Sequence, residues 1–139
     1  MMKTFQLDKR LAQDCLLLGE LPLCQLLLMN DRQFSWFILV PKVTGIEELY
    51  ELDDQQLLQL NRESVQLSAF LSEQFQADKM NVAALGNIVR QLHIHHVVRY
   101  ESDPAWPGPV WGKLPALAYS DSEVVGIRET MASFLARFK

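Results

Sequence analysis

All three histidines of this 139-residue chain fall in one nine-residue run, Gln91-Leu92-His93-Ile94-His95-His96-Val97-Val98-Arg99. In a strand, side chains alternate between the two faces. Gln91, His93 and His95 then share one face, and Leu92, Ile94 and His96 share the other. The apolar face belongs to a core. The polar ladder of Gln, His and His looks toward a surface or cleft from a rigid element, which is where a catalytic constellation is best mounted. The chain is therefore expected to build a sheet around this segment.

The flanking sequence supplies further elements. Leu7 to Leu18 reads as a short helix, with Asp8 as N-cap and Leu7, Leu11, Cys15 and Leu18 on one stripe; Gly19 ends it and Pro22 prevents its resumption. The apolar runs Leu23 to Met29 and Trp36 to Val40 fit an antiparallel hairpin joined by about six residues, Asn30 to Ser35. Ile46 to Leu52 reads as a turn of helix leading into a long one. There Asp53 and Gln56 form an acidic variant of the capping box, and Leu57, Leu60, Ser64, Leu67, Leu71 and Phe75 form the buried stripe. Lys79 to Leu85 and Leu92 to Tyr100 are strand-like, separated by Gly86-Asn87 and a short link. Glu101 to Pro115 holds four prolines and two tryptophans and is a loop. Ser120 and Glu123 cap a C-terminal helix whose Val124, Ile127, Met131, Phe134, Leu135 and Phe138 line one face. Strands and helices mix without a regular βαβ alternation, so residues 1–139 are expected to form one α+β domain, an antiparallel sheet with helices on one face.

Three chemistries suit the ladder. As an HxH pair, His93 and His95 suit zinc, copper or iron, but a catalytic zinc needs a third protein ligand, and the chain has no His outside the run and no Cys spaced to serve. An imidazole can instead attack phosphorus when a hydrogen bond holds its far nitrogen, with neighbouring donors stabilising the phosphoryl oxygens. The third reading is a structural cluster of satisfied histidines without chemistry.

The pattern Gln91-x-His93-x-His95-His96-Val97-Val98 resembles the signature of the histidine-triad (HIT) hydrolases and transferases, in which three histidines alternate with apolar residues. Asn81 to Val89, NVAALGNIV, looks like the strand and turn that precede the triad in that family. Leu26 to Asn30 resembles its first core strand, and Phe37 to Lys42 its strand ending in Val-Pro-Lys. The likeness spans about residues 21 to 112 and is nearest to bacterial diadenosine polyphosphate hydrolase-like members. It implies a HIT-like sheet of about five antiparallel strands with a long central helix and a C-terminal helix. It also implies that His93 is the nucleophile forming a nucleotidyl-histidine and that His95 contacts the phosphate and assists the leaving group. Asn87 falls near the phosphate and Asn30 near the sugar. The implied substrates are dinucleoside polyphosphates, nucleoside phosphoramidates or similar conjugates, in a homodimer. No bound cofactor is expected, beyond Mg2+ accompanying a polyphosphate substrate.

The chain departs from the family pattern in three places. Gln91 stands for the first histidine and cannot titrate, which motivates the alternative of a non-catalytic nucleotide-binding or scaffold protein. His96 occupies an apolar position facing away from His93, as a structural or interface residue. Phe34-Ser35-Trp36-Phe37 replaces the Gly-His that often opens the second core strand, which bears on the base pocket.

Among other residues, Arg99 is spaced to share the face of His93 and His95, where it either neutralises a polyphosphate or makes a salt bridge. Trp106 and Trp111 either stack on a nucleobase, join a dimer seam or anchor the loop as a lip on the site, the last preferred because the loop follows the histidine strand, with Trp111 near the substrate; Lys113 either reaches a distal phosphate or is simply solvated. Trp36 and Phe37 alternate, one in the core and the other toward a base or partner. Cys15 and Cys24, with no CxxC, read as small buried hydrophobes, so no metal site is expected of them. Thirteen basic against seventeen acidic residues leave no electrostatic footprint for nucleic acid. MMKTFQLDKR turns polar too early for a signal peptide, and Trp36 to Pro41 is far too short to span a bilayer, so a cytoplasmic protein without a membrane partner is expected.

Overall fold

The computed structural model describes residues 4–139; the first residues of MMKTFQLDKR, on which the leader reading partly rests, lie outside them. The apolar runs pair as the hairpin requires. β1 (Cys15–Glu20), β2 (Cys24–Met29), β3 (Ser35–Pro41), β4 (Lys79–Ala84) and β5 (Ile94–Arg99) form one five-stranded antiparallel sheet in the order β1-β2-β3-β5-β4. In it Ile38 lies opposite His95, and Trp36 opposite Val97.

β1 corrects the expectation of a helix from Leu7 to Leu18. α1 is only Lys9–Asp14, capped by Asp8, whose side chain accepts from the Arg10 amide. The stripe Leu7, Leu11, Cys15, Leu18 has helical spacing, but the outer backbone edge of the apolar strand β2 needs hydrogen-bond partners. Residues 15–20 supply them, from Cys15 opposite Met29 to Glu20 opposite Gln25. Gly19, expected to end a helix, instead follows a register shift in β1 and lies against Leu135, where a β-carbon would come within 2.8 Å.

The sheet has two unlike faces. On one, α2 (Asp54–Gln74) and α3 (Asp121–Ala136) cover Leu26, Leu28, Phe37, Leu39, Ile94 and Val98. Both helices begin at the expected capping boxes. Leu60, Leu67, Phe70 and Leu71 of α2 and Met131 and Phe134 of α3 are buried there, each contributing roughly 1.5–3 kcal/mol. Fully buried Glu63 ties α2 to the turn before β2, its carboxylate accepting from the Leu23 and Cys24 amides at 2.9 Å each and from Gln59 Nε2 at 2.7 Å. On the other face, Leu27, Trp36, Ile38, Val40 and Val97 are covered by Leu11 of α1, by Phe5 and Leu7, and by the loop carrying Ala105, Val110 and Trp111. Cys15 and Cys24 are free and buried, and burial pushes both thiols up. Among the described residues no helix is long and apolar enough to cross a membrane.

Candidate active site

β5 carries His95 on the face away from α2 and α3, and His93 lies just before the strand; the two are 4% and 5% exposed. Their hydrogen bonds fix opposite tautomers. His93 Nδ1 donates to the Gln91 carbonyl at 2.7 Å, which leaves the Nε2 lone pair free. The Trp36 indole N–H donates to His95 Nδ1 at 2.9 Å, so the proton of that ring sits on Nε2, which is 3.4 Å from the Leu85 carbonyl. The ring centroids are 4.8 Å apart. Burial, and then the charge of His93, push His95 down to about 4. His95 is thus a neutral N–H donor beside a nitrogen fit for nucleophilic attack.

Two clefts meet at His93 and Asn87. One, of about 430 Å³, is mainly apolar and includes Leu11, Met29, Trp36, Leu85, Ile88, Val89 and Trp111, with Arg10 at its edge. The other, of about 340 Å³, is polar and includes Glu47, Glu48, Gly86, Arg90 and Gln91. Gly86 permits the turn between them, since a β-carbon there would meet the Val89 carbonyl at 2.7 Å. Trp111 stands edge-on to His95 with centroids 5.2 Å apart, and edge-on to Trp36 at 6.0 Å.

The sequence-derived residues divide accordingly. His93, His95, Asn87 and Trp111 surround the apolar cleft, and Gln91 lines the polar one. The Gln91 side chain is engaged elsewhere: Oε1 accepts from the Asp8 amide at 2.8 Å and Nε2 donates to the Gln6 carbonyl at 2.9 Å. Asn30 follows Met29 at the end of β2, but its Oδ1 accepts from the Tyr119 amide at 2.9 Å, and neither cleft includes it. Arg99 is the clear correction to the substrate-binding set. It is 1% exposed, and its guanidinium grips the Asp103 carboxylate at 2.8 and 3.1 Å, the Gly108 carbonyl at 2.8 Å and Asn81 Oδ1 at 2.7 Å. Four of its five N–H donors are taken, three by the loop and one by Asn81 of β4, and it lies over Trp106 at 5.6 Å. Burial alone would raise the Asp103 carboxyl, but hydrogen bonds from Arg99 and from the Tyr100 and Ala105 amides hold it down to about 2.

His96 faces α2, as alternation requires. It is fully buried, its Nδ1–H donating to the Ile94 carbonyl at 3.0 Å and its Nε2 accepting from the Ser64 hydroxyl at 2.7 Å. Of the two β3 aromatics, Phe37 packs on Phe75 under the helices, and Trp36 reaches the site. Sequence reasoning missed Trp36 as the partner of His95, because the β3–β5 pairing that sets Trp36 opposite Val97 joins distant segments. It also missed Leu11 and Arg10, for which no local signal exists. Among the described residues no group of three His, Cys, Asp or Glu side chains is placed to hold a metal ion.

Comparisons with known proteins agree with this fold. The HIT domain family model matches residues 10–102. A histidine triad protein from Marinobacter aquaeolei VT8 is 51% identical, with 99% of this chain and 100% of that chain covered and a TM-score of 0.96. One from Sinorhizobium meliloti 1021 is 44% identical over 94% and 96% of the two chains, with a TM-score of 0.92. Another from Bradyrhizobium japonicum is 38% identical over 96% and 99%, with a TM-score of 0.93. A search of curated proteins gives no significant match. With a family model spanning the whole sheet and relatives alike over nearly their full length, the chain belongs to the histidine triad family.

Proposed function

We propose that this protein is a nucleotide hydrolase or nucleotidyl transferase acting on phosphoanhydrides or phosphoramidates, such as dinucleoside polyphosphates, through a nucleotidyl-His93 intermediate. Family membership supports a nucleotide-directed, hydrolase-type function generally. The observation that carries the finer reading is the locked His93 ring, with Nδ1–H on the Gln91 carbonyl and Nε2 free where an apolar and a polar cleft meet. The nucleoside occupies the apolar cleft beside Trp36 and Trp111, and the leaving group occupies the polar one.

His93 Nε2 attacks the α-phosphorus, an N–P bond forms, and the bond to the leaving group breaks. His95 Nε2–H and Asn87 donate to the phosphoryl oxygens, where charge develops. Water then attacks phosphorus, losing one proton to solvent, the N–P bond breaks with its electron pair returning to His93 Nε2, and a nucleoside monophosphate leaves with His93 restored. Mg2+, where a polyphosphate requires it, arrives with the substrate.

The test is intact-protein mass spectrometry after a brief, acid-free quench with diadenosine polyphosphate or adenosine phosphoramidate, on wild type and His93→Ala. A nucleotidyl adduct on wild type alone supports the assignment, and turnover by His93→Ala sinks it. Neither adduct nor product in wild type would favour the second reading, nucleotide binding without turnover, to which the engaged side chain of Gln91 lends support.

The active form is proposed to be a homodimer. β4 is an outer strand with an unpaired edge, and Val82 on it and Leu49 beside it are exposed around a cleft against α2. Leu58 and Val65 add exposed apolar side chains on α2. A second copy related by a two-fold axis pairs the two edges and covers both surfaces. Light scattering should give twice the chain mass for wild type and the single mass for Val82→Lys; a wild-type monomer would refute the dimer.

A further inference from the structure

We infer that Gln91 is a specificity-positioning residue: its carboxamide pins the N-terminal segment against the site, so that α1 becomes a fixed wall of the nucleotide cleft. The inference rests on the reading that this cleft takes the nucleoside.

The bonding pattern is that of a strand edge. An extended chain presents the C=O of one residue and the N–H two residues on along the same side, which is how a neighbouring strand pairs with it. Gln91 meets that pair at residues 6 and 8, donating from Nε2 to the Gln6 carbonyl at 2.9 Å and accepting from the Asp8 amide at 2.8 Å. A primary amide holds a donor and an acceptor side by side. The two nitrogens of an imidazole diverge, so a histidine in this position makes one of these bonds and forfeits the other.

The pinned residues lead straight into the cleft wall. Asp8 is the N-cap of α1, and Phe5 and Leu7 on either side of Gln6 are half-buried against the site face. α1 has six residues, too few to be stable alone, so its position depends on these anchors and on buried Leu11. Leu11 and Arg10 of this helix line the apolar cleft. The backbone carbonyl of the same Gln91 holds His93 Nδ1–H at 2.7 Å. One residue therefore ties a wall of the apolar cleft to the nucleophile, from a position that itself lines the polar cleft.

The test uses the full chain as wild type, Gln91→Leu, which loses both bonds, and Gln91→His, which keeps the ring type of the family signature. Amide hydrogen exchange at Asp8 reads the pin, and titrations with AMP and CMP read the wall. In Gln91→Leu Asp8 exchange should accelerate about fivefold or more, the equivalent of one lost hydrogen bond, and in Gln91→His, which keeps at most one of the two bonds, it should accelerate by a smaller factor. AMP affinity should fall by a similar factor, and the AMP-to-CMP affinity ratio should move toward one, which general destabilisation does not produce. If Gln91→Leu fails to fold, Gln91→His decides. Faster exchange with unchanged affinity and unchanged ratio overturns the inference and leaves the proposed function standing. Absence of AMP binding by the wild type overturns the proposed function itself, and this inference with it.

Discussion

Exchanging Trp36 for Phe separates the indole N–H from the aromatic packing around the site. In the wild type that N–H donates to His95 Nδ1 at 2.9 Å, while the ring meets those of His95 and Trp111 with centroids 5.7 and 6.0 Å away. Phenylalanine keeps most of the ring contact but leaves Nδ1, in a residue only 4% exposed, without its donor. An orphaned buried acceptor costs about 1–3 kcal/mol. For a chain of this size, melting should drop by roughly 3–10 °C. The same bond decides where the proton sits, because an indole donor on Nδ1 opposes protonation there. Burial, and then the charge of His93, still act in the variant, so His95 should rise from about 4 by about one pH unit, the equivalent of 1.4 kcal/mol. Nitrogen-edited NMR of the imidazole rings reads both tautomer and titration midpoint. Wild type should show the Nε2–H form for His95 and the Nδ1–H form for His93. A wild-type His95 carrying its proton on Nδ1, or a Trp36→Phe variant with an unmoved midpoint, would refute the reasoning.

The remaining expectations concern the frame around the site. Glu63→Ala orphans the Leu23 and Cys24 amides and should destabilise by about 2–4 kcal/mol in urea titration; a loss under half a kilocalorie would show that water replaces the carboxylate. Arg99→Met removes the ion pair of half-buried Asp103, which keeps the Tyr100, Ala105 and Trp106 amides, and should cost about 1–3 kcal/mol, with tryptophan fluorescence reporting the loosened loop; unchanged emission and stability would contradict the fastening role. His95 and His96 are both lowered to about 4, so between 6.5 and 4 the unfolded chain binds more protons than the folded one, and stability falls as pH drops through that window. His96, held down by burial, should alone account for roughly 3 kcal/mol, and a flat melting profile from neutrality to pH 4 would exclude this. The contribution of Asp103, whose carboxyl is held down to about 2, is lost later, as pH falls from 3.8 through 2. Gly86→Ala drives a β-carbon to within 2.7 Å of the Val89 carbonyl beside His93, so adduct formation should slow more than melting drops, and the reverse order would argue against a positioned turn.

Local rules carried much of this protein. The capping boxes at Asp53 and Ser120 bond as their spacing requires, since a cap is made within four consecutive residues. Strand alternation alone sends His93 and His95 to one face and His96 to the other, because period two is a property of the extended backbone. Alternation likewise put Arg99 on the correct face, yet said nothing of what it would meet there. Its partners Asp103 and Gly108 arrive only when the loop folds back, and Asn81 only when β4 pairs with β5. Residues 15–20 follow a helical stripe and become a strand because the open edge of β2 outweighs a weak local preference. The tautomer of His95 depends on an indole 59 residues away, and the engagement of Gln91 on backbone groups 83 and 85 residues away. The chain itself thus determined which residues are grouped on each element. Only the tertiary structure decided which groups meet across elements, and so which nitrogen of each histidine is free to react, because hydrogen bonds between distant segments leave no periodic trace in the sequence.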